Sequence, residues 1–319
     1  MATNTLTDVP GFLVGHATNL EAATGCTAII CPPKTVGGVD VRGGAPGTRE
    51  TDLLRPHNHV QEVSAIVLSG GSAFGLGSAD GVVQYLEENE LGYRSGTGFL
   101  VPIVPAAILF DLRLGTSDVR PDKAMGYAAA ENANTDAVPQ GTVGAGTGAI
   151  CGAMRGAEFA TKGGLGSASM EIKEGLWVAA IVAVNAVGDV YDEQGNIMAG
   201  LRDDDGNFMG MLNALQAFAN QPPEIDPREN TVIGAIATNA KLSKAETTKV
   251  AQMAHDGIAR AIKPSHTVFD GDTIFALASG EIESDAMLIG SFAAEVMEQA
   301  IRSGIRSATT LFEARSITD

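Results

Sequence analysis

Glycine sets the tightest limit on what this chain can fold into. The sequence has 39 glycines among 319 residues, and many gather beside apolar runs: residues 69–77 (SGGSAFGLG), 141–148 (GTVGAGTG) and 162–169 (KGGLGSAS). Without a Cβ, glycine lets the chain bend sharply or lets another backbone approach closely. Aromatic residues make up 5% of the chain and charged residues 18%, so close packing of small side chains is expected rather than disorder. The 45% of hydrophobic residues is ample for one large domain or two modest ones.

Strand and helix patterns alternate between these turns. Residues 27–31, closed by Pro32 and Pro33, suit a buried strand, and residues 39–51 read as a long loop whose Arg42 and Arg49 could line a site. Residues 64–68 predict a strand that feeds the first glycine-rich turn and then a helix with apolar positions at Leu76, Ala79, Val83 and Leu86. That turn matches neither GxGxxG nor GxxxxGK[ST], so packing against a sheet is the better reading than phosphate binding.

Further on, residues 106–112 predict a strand, residues 121–134 a helix capped by Asp122, and residues 176–184 an apolar strand ending at Asn185. Residues 188–192 are expected to return as its hairpin partner. The consecutive Asp203, Asp204 and Asp205 fail the alternate spacing of a calcium loop and read as a solvated turn. A helix over residues 208–219 leads into an acidic connector with Pro222, Pro223 and Pro227, a composition expected where cleavage is tolerated. Residues 231–238 then read as a strand, Ser243 with Glu246 as a capping box opening a helix, residues 274–278 as a strand and residues 287–301 as a closing helix. The series predicts an α/β or α+β fold without internal repeats.

A formal charge of −17 argues against nucleic acid and anionic membranes as partners. Cys26, Cys31 and Cys151 are odd in number and lack CxxC spacing, which suits free thiols in a reducing compartment. The amino terminus lacks a secretory pattern and no apolar run is long enough to span a bilayer, so a soluble cytoplasmic protein is expected.

The residues that suggest chemistry lie late in the chain. A threonine hydroxyl needs a base to become a nucleophile, and if Thr231 were an amino terminus its own α-amine would be that base. Asn230 before Thr231, after an exposed connector, suits attack by the hydroxyl on the preceding carbonyl; a strand simply starting after a turn is the plainer alternative. Asp270 and Asp272 flank Gly271, so in an extended strand they share a face and could orient the Thr231 amine and hydroxyl, although Asp-Gly equally signals a hairpin. Asn185 could donate to an oxyanion or merely form a turn. His16, His57, His59, His255 and His266 make no metal-binding pattern, and GxSxG is absent.

These residues, with Val9-Pro10-Gly11, Val14-Gly15-His16, residues 42–50 (RGGAPGTRE), 69–76 (SGGSAFGL), 144–149 (GAGTGA), 162–169, Thr238-Asn239 and 264–275 (PSHTVFDGDTIF), resemble the L-aminopeptidase/D-esterase (DmpA-type) family. That family includes β-aminopeptidases and the nylon-oligomer (6-aminohexanoate oligomer) endo-hydrolase. The resemblance covers nearly the whole chain. It implies an α+β fold, an αββα sandwich similar to N-terminal-nucleophile hydrolases, formed as one domain over residues 1–319. It also implies self-cleavage between Asn230 and Thr231 into chains 1–230 and 231–319, with Thr231 as nucleophile, Asp270 and Asp272 as the acidic pair and Asn185 as oxyanion donor. No metal or organic cofactor is implied. The substrate would be a small peptide or amide, and the protein a homo-oligomer of processed heterodimers.

Two positions depart from the family pattern: Ala153 stands where a Lys often follows Cys151-Gly152, and Phe110 where some members carry Tyr. Loss of the Lys removes a cation near the nucleophile, for which Arg155 or Lys162 are possible substitutes. The alternatives to an amide hydrolase are an acyltransferase to an amine acceptor, as in the fold-related ornithine acetyltransferases, or a catalytically idle binding or scaffold homologue.

Overall fold

The computed structural model describes residues 2–219 and 230–319, so the proline-rich part of the connector lies outside the described residues. Its strands are β1 (Leu13–Asn19), β2 (Thr24–Ile30), β3 (Val36–Val41), β4 (Thr48–Arg49), β5 (Ala65–Ser69), β6 (Ala106–Ile108), β7 (Gly164–Lys173), β8 (Leu176–Asn185), β9 (Thr231–Lys241) and β10 (Thr273–Glu283). They form two five-stranded sheets, ordered β1-β2-β5-β6-β4 and β7-β8-β9-β10-β3. Within each, one parallel pair, β5 with β6 and β9 with β10, sits among antiparallel neighbours.

Period-two alternation along the strands sorts the layers. In the first sheet, Ala28, Ile30, Ala65 and Val67 pack outward on α1 (Ser78–Glu88) and α2 (Lys123–Glu131), burying Ala79, Val82, Leu86 and Ala129. Ile29, Ile66 and Leu68 point the other way and meet Ala179, Ile181, Ile233, Ala235 and Phe275 of the second sheet. The outer face of that sheet, with Val178, Val182, Val232, Ile236 and Ile274, is covered by α4 (Lys244–Ala261) and α5 (Ala286–Arg306). The resulting order is helices, sheet, sheet, helices. Small residues permit the close approach: a Cβ on Gly166 of β7 would stand 1.9 Å from the Ala300 carbonyl oxygen of α5.

Local signals place the helix starts. The Asp122 carboxylate accepts from the Met125 amide at 3.0 Å, and Ser243 and Glu246 close a capping box at the head of α4. A fifth helix of the α type, α3 (Met211–Phe218), precedes the connector.

Three expectations need correction. Residues 39–51 are not one loop, because Val39–Val41 completes edge strand β3 and Thr48–Arg49 forms β4. The strand expected over residues 106–112 stops at Ile108. The segment Asp189–Tyr191 does not return along β8 but pairs with Ile197–Ala199 and Ile262–Lys263. Both edges of β8 are already taken by β7 and β9, so hairpin-type residues at 185–188 cannot place a further strand there.

The run Asp203–Asp205 is a turn in which Asp203 accepts from the amides of Asp205 and Asn207, while Asp204 and Asp205 are exposed. Among the described residues no helix is long and apolar enough to cross a membrane. Cys26 and Cys151 are buried free thiols and Cys31 is half-buried.

Candidate active site

The site forms where β8 ends and β9 begins. These central strands are antiparallel, and their register sets Asn185 directly opposite Thr231. Thr231 lies two residues before Ile233, which faces the first sheet, and Asn185 lies two after Ala183, which does the same. Both side chains therefore point into the seam between the sheets. Asn185 is 0% exposed and Thr231 3%.

The Thr231 hydroxyl donates to the Asn230 carbonyl oxygen at 2.5 Å. The same oxygen accepts from the Gly271 amide at 3.0 Å. The Asn230–Thr231 carbonyl is thus polarised by a backbone N–H while a hydroxyl is held against it. A Cβ on Gly271 would stand 2.8 Å from Thr231 Oγ1 and 2.8 Å from the Ala45 carbonyl oxygen, so glycine is what allows this approach. The buried Asn230 side chain lacks a partner for its Oδ1 among the described residues.

Asp270 and Asp272 do not lie in an extended strand as expected, since β10 begins only at Thr273. They sit in the loop leading into it, and Asn230 and Asp270 form a parallel bridge. Asp272 Oδ1 accepts from the Val232 amide at 2.8 Å, and Oδ2 accepts from the His266 amide at 3.1 Å and pairs with His266 Nδ1 at 2.7 Å. Asp270 Oδ2 accepts from the Thr267 amide at 2.7 Å. Burial, reinforced by the neighbouring Asp272 charge, raises the Asp270 pKa to about 6. Asp270 therefore keeps its proton to a higher pH than a free carboxyl does.

The loop before β4 supports this acidic loop through backbone rather than through its arginines. The amides of Arg42 and Ala45 donate to the carbonyls of Asp272 and Asp270 at 3.0 and 2.8 Å. A Cβ on Gly43 would lie 2.1 Å from the Asp270 carbonyl oxygen. The Arg42 and Arg49 side chains instead meet Asp40 and Asp80.

Asn185 is fixed from two sides. Its Oδ1 accepts from the Ile150 amide at 2.9 Å and its Nδ2 donates to the Phe110 carbonyl at 3.1 Å, leaving a second Nδ2 proton. Phe110 therefore contributes its backbone to the site. The Ala149–Ile150 peptide is also held from its carbonyl end, where buried Lys162 Nζ donates at 2.8 Å; Nζ also donates to the carbonyls of Gly146 and Gly163. With three carbonyl acceptors, Lys162 is committed to the scaffold. Arg155 pairs with Asp204 and stacks on Phe159. Both side chains are thus engaged with groups other than Thr231.

Sequence reasoning missed His266, Gly271 and the backbone of residues 42–45. The PSHTVFDGDTIF stretch contains the first two, but only the folded loop shows what they touch. His57 and His59 are exposed, and no three His, Cys, Asp or Glu side chains among the described residues group as a metal would require.

Two sheets between two helix layers, with a hydroxyl at the start of a central strand, define an N-terminal-nucleophile hydrolase architecture. The solved L-aminopeptidase D-Ala-esterase/amidase of Ochrobactrum anthropi, described as a variant among that fold, superposes with a TM-score of 0.71 at 20% identity, over 96% of this chain and 86% of that one. A Burkholderia β-aminopeptidase gives 0.69 at 23%, over 96% and 87%.

The model of peptidase family S58 matches residues 4–317, and the chain belongs to that family. An uncharacterized aminopeptidase of Mycobacterium leprae is 44% identical over 89% of this chain and 80% of its own length. A 6-aminohexanoate-oligomer endohydrolase of Kocuria is 35% identical over 92% of this chain and 84% of its own length. The protein is a hydrolase of peptide or amide bonds.

Proposed function

We propose that the chain cleaves itself between Asn230 and Thr231, giving chains 1–230 and 231–319 of a single domain, and that Thr231 then hydrolyses small peptides or amides through an acyl-enzyme. The observation that carries this reading is the Thr231 hydroxyl at 2.5 Å from a carbonyl oxygen that also accepts the Gly271 amide. Attack of Oγ1 on the Asn230 carbonyl carbon forms a C–O bond. As the C–N bond breaks, the hydroxyl proton passes to the departing Thr231 nitrogen. Water then hydrolyses the ester, releasing the Asn230 carboxylate and restoring the hydroxyl beside a free α-amine.

In the mature protein that amine, with a reference pKa of ~8, accepts the hydroxyl proton as Oγ1 attacks the substrate carbonyl. The remaining Asn185 Nδ2 proton serves the developing oxyanion, as its position opposite Thr231 suggests. Asp272 grips the Val232 amide and so fixes the start of β9, while Asp270 lies beside the new amine. The protonated leaving amine departs, and water frees the acyl group.

Substrates with a free amino end or a linear amide backbone are the class favoured by relatives named aminopeptidase and 6-aminohexanoate-oligomer endohydrolase. We also read the working form as an oligomer of processed heterodimers. Intact mass after incubation tests the first step: wild type should yield the two chains and Thr231→Ala should stay whole. A wild-type chain that remains full length overturns the proposal. The cleaved protein should then release amine from β-alanyl or 6-aminohexanoyl amides, and product analysis with an added amine acceptor separates hydrolysis from acyl transfer.

A further inference from the structure

Asp272 is held by an unusual set of partners for a carboxylate beside a reacting bond. One oxygen grips the Val232 amide, immediately after Thr231, and the other takes both the amide and the imidazole of a single residue, His266. His266 can bring both groups to one oxygen because its backbone sits at φ 55°, in the left-handed region. The short contact to a carboxylate requires a proton on Nδ1, and the buried Nε2 has no partner among the described residues.

A second imidazole packs behind the first. His255 lies edge to face with His266, centroids 4.8 Å apart, and its Nε2 is 3.1 Å from the Asp40 carbonyl oxygen. Burial lowers the His255 pKa to about 4, so the ring behind His266 is neutral at physiological pH. Asp40 in turn is paired with Arg42 at 2.7 Å, whose backbone amide supports the acidic loop. The arrangement runs from the surface pair inward to Asp272 and β9.

We propose that His266 is a positioning residue that locks the Asp272 carboxylate onto the Val232 amide, and thereby holds Thr231 in line with the bond it attacks. This rests on the reading of Thr231 as the nucleophile. The titratable and charged groups facing the acidic loop are Asp270 within it, His266 at its start, His255 from α4, and Asp40 and Arg42 from β3 and the residue after it. Of these, only His266 contacts the Asp272 carboxylate through a side-chain donor among the described residues.

Three variants separate positioning from mere support. Asn presents its Nδ2 where His has Nδ1 and tolerates the left-handed region, whereas Ala offers no donor. His266→Ala should slow self-cleavage by ~10- to 100-fold, the scale on which loss of a supporting hydrogen bond acts at a reacting site. His266→Asn should return to within a few-fold of wild type, and His266→Gln, whose amide lies one bond further out, should not.

A carboxylate freed from His266 holds the Val232 amide less firmly, so in the uncleavable Thr231→Ala chain hydrogen exchange at that amide should speed by ~10-fold in His266→Ala and recover in His266→Asn. Circular dichroism identifies variants that fail to fold. Wild-type cleavage rates in His266→Ala, or unchanged exchange at the Val232 amide, overturn the proposal. If wild type itself stays whole, the Thr231 reading fails, while the exchange still decides whether His266 holds Asp272 on Val232.

Discussion

Two of the places where this molecule buries carboxylates are built for different ends. Asp111, just beyond β6, is 3% exposed and accepts from the Gly71 amide and the Thr24 hydroxyl, both at 2.7 Å. Burial raises its pKa to about 6, the same value reached by Asp270. By burial and titration alone the two are indistinguishable. The difference lies in their neighbours: Asp111 ties a glycine-rich turn to β2, with Lys162 serving the carbonyls of the next turn. Asp270 and Asp272 instead flank a glycine whose amide meets the Asn230 carbonyl, against which the Thr231 hydroxyl is held. A perturbed carboxylate thus marks burial, and a reacting geometry beside it is what marks a site.

The contrast can be broken in order of expected effect. Thr231→Ala should abolish self-cleavage and all amide hydrolysis while leaving the fold intact, as read by intact mass and circular dichroism. Asn185→Ala should lower kcat of the mature protein by ~10²- to 10³-fold in an amine-release assay, the scale reported for loss of one oxyanion donor.

At the other acid the pattern reverses. Asp111→Ala strands the Gly71 amide and the Thr24 hydroxyl, so the uncleavable chain should lose ~3 kcal/mol in urea unfolding, while self-cleavage at temperatures where the variant is folded proceeds at the wild-type rate. A cleavage defect at Asp111 as deep as that at Thr231 would erase the distinction between the two clusters.

The smallest effect concerns pH. In the folded chain Asp270 holds its proton to about pH 6, whereas an unfolded Asp releases it near pH ~3.9. Between these values the native state binds more protons, so this group's contribution is present at low pH and is lost as pH rises through 6. Asp270→Asn in the Thr231→Ala background should therefore be stabilising above that window and neutral below it. Melting curves of the two uncleavable chains from pH 4 to 8 give the comparison directly.

Much of the fold was legible locally. The Asp122 cap, the Ser243–Glu246 box, and the apolar stripes of α4 and α5 are short-range signals, and the strands from Ala65, Leu176 and Thr231 follow from composition. What failed locally depended on partners distant in sequence. Val39–Val41 looked like loop because the glycines and charges around it conceal an edge strand that only β10 completes. Asp189 looked like the start of a hairpin, yet its buried carboxylate caps the amides of Leu201 and Met211 instead. Residues 42–45 seemed notable for arginine and are useful for bare backbone.

The candidate site divides in the same way. Thr231 and the DGD triplet stand out by residue type, since hydroxyls and paired carboxylates carry chemistry wherever they lie. The placing of Asn185 opposite Thr231 is a property of strand register, and the contact of Gly271 with the Asn230 carbonyl is a property of how one loop crosses a strand end. By itself the sequence determined the alternation of strands and helices, through apolar periodicity and glycine-rich turns, and the family, through motifs spread over the chain, whose resemblance in turn implied the layered sandwich. Only the tertiary structure decided which carboxylate is scaffold and which lies beside the bond, because hydrogen bonds act over about 3 Å and the residues that make them here are distant in sequence, as Arg42 and Asp272 are, 230 positions apart.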